Sequence, residues 1–162
     1  MARILYSRAL VDHGDLVPST VWLPGHFFFL AIPYFLGIGT EKAAIALTLF
    51  VSALTIPITF YLVLDRLGRS AAILAALLLA VYSLHIRFSV MTVAEGPFFT
   101  FILLGILLFF SHLKTRSVWS LIAGTSSFNV ASSIRFEGWV IPVFLAAAHL
   151  TSERRSGKRL IS

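Results

Sequence analysis

Long stretches without a single Asp, Glu, Lys or Arg are separated by short charged joints, and the joints alternate in kind. The joints at Asp65-Arg66-Leu67-Gly68-Arg69 and Lys114-Thr115-Arg116, with the tail from Glu153 to Arg159, are basic. The joints holding Arg87 with Glu95, and Arg135 with Glu137, each carry one base and one acid. Apolar runs of this length read as helices that cross a bilayer, where an unpaired charge is costly. If each run between joints crosses, the basic joints share one side and the mixed joints the other.

Composition supports that reading. Only 12% of the residues are charged and 58% are hydrophobic, against about 25% charged in an ordinary soluble domain. The expected class is an integral membrane protein, all-α, a polytopic helix bundle forming one transmembrane domain over 1–162. The net charge of +6 sits wholly in the basic joints and tail, which hold eight bases and two acids; the remainder holds five of each. Lys and Arg concentrate on the cytoplasmic side of membrane proteins, so topology accounts for the excess and no nucleic-acid partner is implied. There is no cysteine, which excludes disulfides and thiolate metal sites. The opening residues are polar and mixed in charge, unlike a secretory signal.

The pattern predicts about five spans, at 43–64, 70–86, 97–113, 117–134 and 138–151. A polar outer-face lead-in covers 1–20 and a basic cytoplasmic tail 152–162. Residues 21–38 are apolar but interrupted by Pro24-Gly25 and by Pro33. Proline removes a backbone donor, and the uninterrupted part is short for a core of about 30 Å. A juxtamembrane or re-entrant helix is therefore expected there. Pro57 is placed to kink the first span, with Thr55 and Thr59 near enough to satisfy freed backbone groups. The second half of 117–134 is small and polar, with Thr125, Ser126, Ser127, Asn129, Ser132 and Ser133. That face is expected against other helices or a wet cavity rather than lipid.

The mixed side collects the residues with chemistry: Asp12, His13 and Asp15; His85, Arg87 and Glu95; Arg135 and Glu137; with Trp22, His26 and Trp139. Arginine suits an anionic headgroup because its planar fork meets two phosphate oxygens at once. Plainer readings stand beside these. Arg87 and Glu95 also read as loop charges, Arg135 and Glu137 as a solvated turn, and His26 as a residue of a helix start. Trp22 and Trp139 also suit interface anchors. Asp12, His13 and Asp15 resemble an acid–base or metal cluster in a polar segment without a scaffold. His112 and His149 fall near span ends and read as structural.

The order of several short motifs resembles the GT-C superfamily of membrane glycosyltransferases, of the protein mannosyltransferase and aminoarabinose transferase type. They are Tyr6-Ser7-Arg8-Ala9-Leu10, Gly14-Asp15, Pro18, and Trp22-Leu23-Pro24-Gly25-His26. Leu67-Gly68-Arg69, the polar segment Ser83 to Ser89, and Ala94-Glu95-Gly96-Pro97 follow. Ala123-Gly124 and Ile134-Arg135-Phe136-Glu137-Gly138-Trp139 complete the series. The resemblance runs over about 4–150 and rests on order and spacing, no single motif being specific.

It implies transfer of a sugar from a polyprenyl-phosphate donor to an outer-face acceptor. A carboxylate would act as base, and Arg would steady the departing phosphate. Arg135 is the first candidate for the phosphate and Arg87 the second, with His26 near the donor and Glu95 and Glu137 beside them. The acid that the family carries just before Tyr6 is replaced by Met1, Ala2 and Arg3, which leaves Asp12 and Asp15 as weak candidates for the base. The expectation is a member cut short at both ends, inactive alone, with a companion chain supplying the missing spans. The resemblance assigns no cofactor and leaves a divalent metal open. The alternative class is a non-enzymatic membrane subunit or transporter-like bundle, whose polar rim would be an assembly surface.

Overall fold

The computed structural model describes residues 2–14 and 23–159, with side chains over 3–14 and 23–151. All regular structure among these residues is helical. The helices are α1 (Ala2–His13), α2 (Pro24–Phe35), α3 (Glu41–Ala53), α4 (Thr55–Leu67), α5 (Arg69–Val81), α6 (Ser83–Val90), α7 (Glu95–Thr115), α8 (Val118–Ile134) and α9 (Val140–Arg159). A 3-10 turn, Phe136–Trp139, joins α8 to α9.

Local chemistry sets the boundaries. Pro24 opens α2 after an extended Leu23, where its missing N–H costs nothing. Thr40 caps α3 by accepting from the Ala43 N–H at 3.2 Å, and Ser117 caps α8 through the Ser120 N–H at 3.4 Å. Gly68, at φ 82°, makes the abrupt joint from α4 to α5 that a residue with a side chain would resist.

Two helical stretches are long and apolar enough to cross a membrane: Glu41–Leu67, with 27 residues, and Glu95–Thr115, with 21. The first is α3 and α4 joined through the single turn residue Leu54. Pro57 cannot donate to the Ala53 carbonyl, which loosens the ladder there. Thr55 Oγ1 donates to the Ser52 carbonyl at 2.6 Å, one residue before the Ala53 carbonyl that Pro57 frees.

The stretch expected as one span over 70–86 differs. It breaks at Tyr82, which is extended (φ −68°, ψ 111°), and α6 departs from α5 at 57°. The physical reason lies in α6, where His85 and Ser89 share one face at helical spacing. Both are buried: α6 packs on α3, and His85 meets Thr55 at the start of α4. The pair α5–α6 makes a third crossing only if the bent pair counts as one. The 17 residues of α8 reach about 25 Å at about 1.5 Å each, short of a bilayer core. The apolar part of the last segment, Phe136–Thr151, is also short.

The main core lies between α7 and α8: Phe98, Ile102, Phe128, Ala131 and Ile134 are buried together with Ala94. Gly105 permits the approach, since a Cβ there would stand 2.6 Å from the Phe128 ring. A smaller cluster of Phe29, Leu30 and Ala44 ties α2 to α3. Charged joints meet their own kind. At one end Lys114 Nζ lies 2.7 Å from Asp65 Oδ2, and the Arg66 guanidinium stacks 3.8 Å from the Phe110 ring centroid. At the other end Arg135 reaches Glu95.

Candidate functional site at the mixed-charge end

Where α8 ends, Arg135 leaves the helix in an extended conformation (φ −144°, ψ 141°). The 3-10 turn then folds back so tightly that a Cβ on Gly138 would stand 2.7 Å from the Ser132 backbone. This holds the Arg135 side chain beside the first turn of α7. Its Nη1 donates to Glu95 Oε1 at 2.5 Å, its Nη2 to Glu137 Oε1 at 2.7 Å and its Nε to Glu137 Oε2 at 3.2 Å. One carboxylate is met by the two-pronged fork and the other end-on. The guanidinium carbon also lies 5.8 Å from the Phe98 ring centroid.

The start of α2 crosses the end of α8 at Gly25, where a Cβ would come within 2.6 Å of the Ser133 backbone. That contact seats the next residue, His26, at 2% exposure. Its Nε2 lies 3.2 Å from the Thr92 carbonyl. A carbonyl can only accept, so Nε2 carries the proton and donates, and Nδ1 carries the lone pair. Thr92 presents that carbonyl from a left-handed backbone position, φ 41°, a conformation unusual for a β-branched residue.

Arg3, Leu23, His26, Arg135, Phe136 and Glu137 line one cavity of about 260 Å³. Burial first, and then the Arg3 charge, push His26 down to about 4, against a smaller opposing effect of the Thr92 bond. The imidazole is therefore neutral at physiological pH. The hydrogen bonds from Arg135 hold Glu137 down to about 2. Arg135 is raised in turn, first by its bonds to Glu137. The cavity thus offers two guanidinium groups and a neutral imidazole, with two carboxylates gripping one of the guanidiniums. The two guanidiniums can hold an anion if Glu137, 61% exposed, gives way while Glu95 keeps Arg135 in place; His26, with Nε2–H spent on Thr92, can offer only its Nδ1 lone pair, to a hydroxyl.

Of the residues singled out in the sequence, His26, Arg135 and Glu137 meet in this cavity, and Glu95 joins through Arg135. Arg87 does not. It is exposed on α6 with its Nε 3.3 Å from Met91 Sδ, because the bend at Tyr82 carries α6 away from the expected line. Asp12 is also apart: it is exposed and paired with Arg8 on its own helix at 3.2 Å, and does not line the cavity. His13 is exposed at the end of α1. Asp15 and Trp22 lie outside the described residues. Trp139 is 57% exposed and borders a different cavity between α7, α8 and α9. His85 belongs to another cluster, 3.0 Å from Thr55.

Arg3 is the site residue that sequence reasoning missed. Its only signal was an absence, a base standing where the GT-C pattern has an acid. Among the described residues no group of three His, Cys, Asp or Glu could hold a metal ion. No family model matches the chain, and neither a curated protein nor a solved structure matches it.

Proposed function

We propose that the cavity between α1, α2 and the end of α8 binds the phosphate of a polyprenyl-phosphate-linked sugar. The chain would then be the front half of a membrane glycosyltransferase of the GT-C kind. The observation that carries this reading is the convergence of two guanidinium groups, Arg3 and Arg135, on one cavity that His26 also lines. Arg135 is already oriented there by Glu95 from another helix. A preoriented guanidinium binds phosphate with little further ordering. The basic joints would face the cytoplasm, placing the cavity on the outer side of a multi-pass cell-membrane protein and the C-terminus inside.

The reading assigns the chain binding rather than turnover. Glu137, the carboxylate that lines the cavity, is committed to Arg135, and Asp12 is committed to Arg8. A companion chain would supply the base. The test is thermal stabilisation of the purified chain by a short-chain polyprenyl-phosphate sugar. The donor should raise the melting temperature of the unaltered chain, and Arg135→Ala should abolish that rise. No stabilisation of the unaltered chain refutes the reading and favours a non-enzymatic subunit. Measured sugar transfer by the chain alone would refute the claim that it only binds.

A further inference from the structure

Near the middle of the Glu41–Leu67 stretch, about 20 Å from either end at about 1.5 Å per residue, Thr55 is 1% exposed. Its Oγ1 donates to the Ser52 carbonyl at 2.6 Å and lies 3.0 Å from His85 Nε2. A threonine hydroxyl has one proton, and the carbonyl takes it. His85 Nε2–H therefore donates to Thr55, and Nδ1 bears the lone pair. The ring is further placed by Ser89, whose Oγ donates to the His85 carbonyl at 2.8 Å. His85 is 9% exposed, and its side chain makes no other hydrogen bond among the described residues. Nδ1 is thus an acceptor without a donor among the described residues, on a side chain that lines a cavity.

Thr55 and His85 form the polar end of a cavity of about 300 Å³ whose other walls include Leu79, Tyr82, Phe88 and Phe99. No charged side chain lines it. It shares no lining residue with the cavity at Arg135. A concave, mostly apolar space with one convergent polar group is the usual form of a small-molecule site. A phosphate or carboxylate would enter it without a counter-charge, at a large desolvation cost. A plain hydrocarbon would leave His85 Nδ1 unsatisfied. An uncharged hydroxyl meets both conditions.

We infer that the cavity at the α5–α6 break binds the hydroxyl end of an uncharged long-chain alcohol drawn from the bilayer. The hydroxyl donates to His85 Nδ1, and the hydrocarbon lies against Tyr82, Phe88 and Phe99. The source of the ligand follows from depth, and so rests on Glu41–Leu67 crossing the membrane. It does not rest on the phosphate site.

The experiment uses the full chain in phospholipid nanodiscs, with three photoreactive diazirine probes of equal chain length: an alcohol, its methyl ether and its phosphate ester. Labelled positions are mapped by mass spectrometry. The alcohol should label residues 79–88 and 99–103 about tenfold more than the ether, the amount one neutral hydrogen bond supports. His85→Phe should bring the alcohol down to the ether's level. Equal labelling by alcohol and ether in the unaltered chain overturns the inference, whatever the variant does. So does labelling by the phosphate ester as strong as by the alcohol, or no labelling of these residues by any probe.

Discussion

Arg135 Nη1 donates to Glu95 Oε1 at 2.5 Å across 40 residues of sequence, and this bond fastens the end of α8 to the start of α7. Both side chains are partly shielded, at 32% and 25% exposure, whereas Glu137 is 61% exposed. The two carboxylates therefore contribute differently. Removing Glu95 by Glu95→Ala should cost about 1–2 kcal/mol of stability, between the values for exposed and buried pairs. Glu137→Ala should cost less than about 1 kcal/mol. A double-mutant cycle with Arg135→Ala in detergent checks both, and a larger coupling to Glu137 than to Glu95 would reverse the assignment.

His26 gives the fold an acid limb with a definite position. Its pKa falls from 6.5 to about 4 on folding, so between these values the unfolded chain binds more protons than the folded one. Stability is complete above 6.5 and declines as pH falls toward about 4. At about 1.4 kcal/mol per unit the loss is at most about 3–4 kcal/mol. Glu137, also depressed, acts in a lower window: its contribution is present above its unfolded value near 4.5 and is lost as pH falls toward about 2. Thermal melts from pH 7 to pH 4 should show the first limb. His26→Gln should flatten it, and an unchanged limb in that variant would assign the pH dependence elsewhere.

The close fold-back after α8 makes Gly138 sensitive. A Cβ there meets the Ser132 backbone at 2.7 Å, and backbone cannot swing aside as a side-chain tip can. Gly138→Ala should destabilise by about 1–3 kcal/mol, the usual range for overpacking, and should weaken the donor binding proposed above because Arg135 shifts with the turn. Gly39→Ala is the control: its nearest neighbour is the Tyr34 ring at 3.3 Å, which can give. Equal melting temperatures for the two variants would show that the turn yields to a Cβ at Gly138 as easily as the Tyr34 ring does at Gly39.

Local signals made part of this legible in the sequence. Charge-free runs placed α7 and α8 within two residues of their observed bounds. The spacing of Arg135 and Glu137 in a short joint marked a candidate pair, and Glu95 stood out as an acid between apolar runs. What could not be read was tertiary. The partnership of Arg135 with Glu95 depends on how α7 packs on α8. The break at Tyr82-Ser83 carries neither proline nor glycine, so nothing local announced that α6 would turn away and take Arg87 with it. His85 reads as a rim residue until Thr55, 30 positions earlier, is seen beside it. Arg3 enters the cavity only because α1 packs on α2.

Sidedness can be tested without background, because the chain has no cysteine. Asp65 and Lys114 are 2.7 Å apart, so the joints at 65–69 and 114–116 lie at one end of the bundle, opposite Glu95 and Arg135. Single cysteines at Arg69 and Thr115 should resist a membrane-impermeant maleimide in intact cells and react after lysis. Cysteines at Glu41 and Glu137 should react in both conditions. These substitutions are exposed in the fold, so little stability is at stake. Labelling of all four positions in intact cells would mean that Glu41–Leu67 and Glu95–Thr115 do not cross the bilayer. The reverse pattern would put the Arg135 cavity on the cytoplasmic side, where the proposed lipid-linked donor would have to present its headgroup from the inner leaflet.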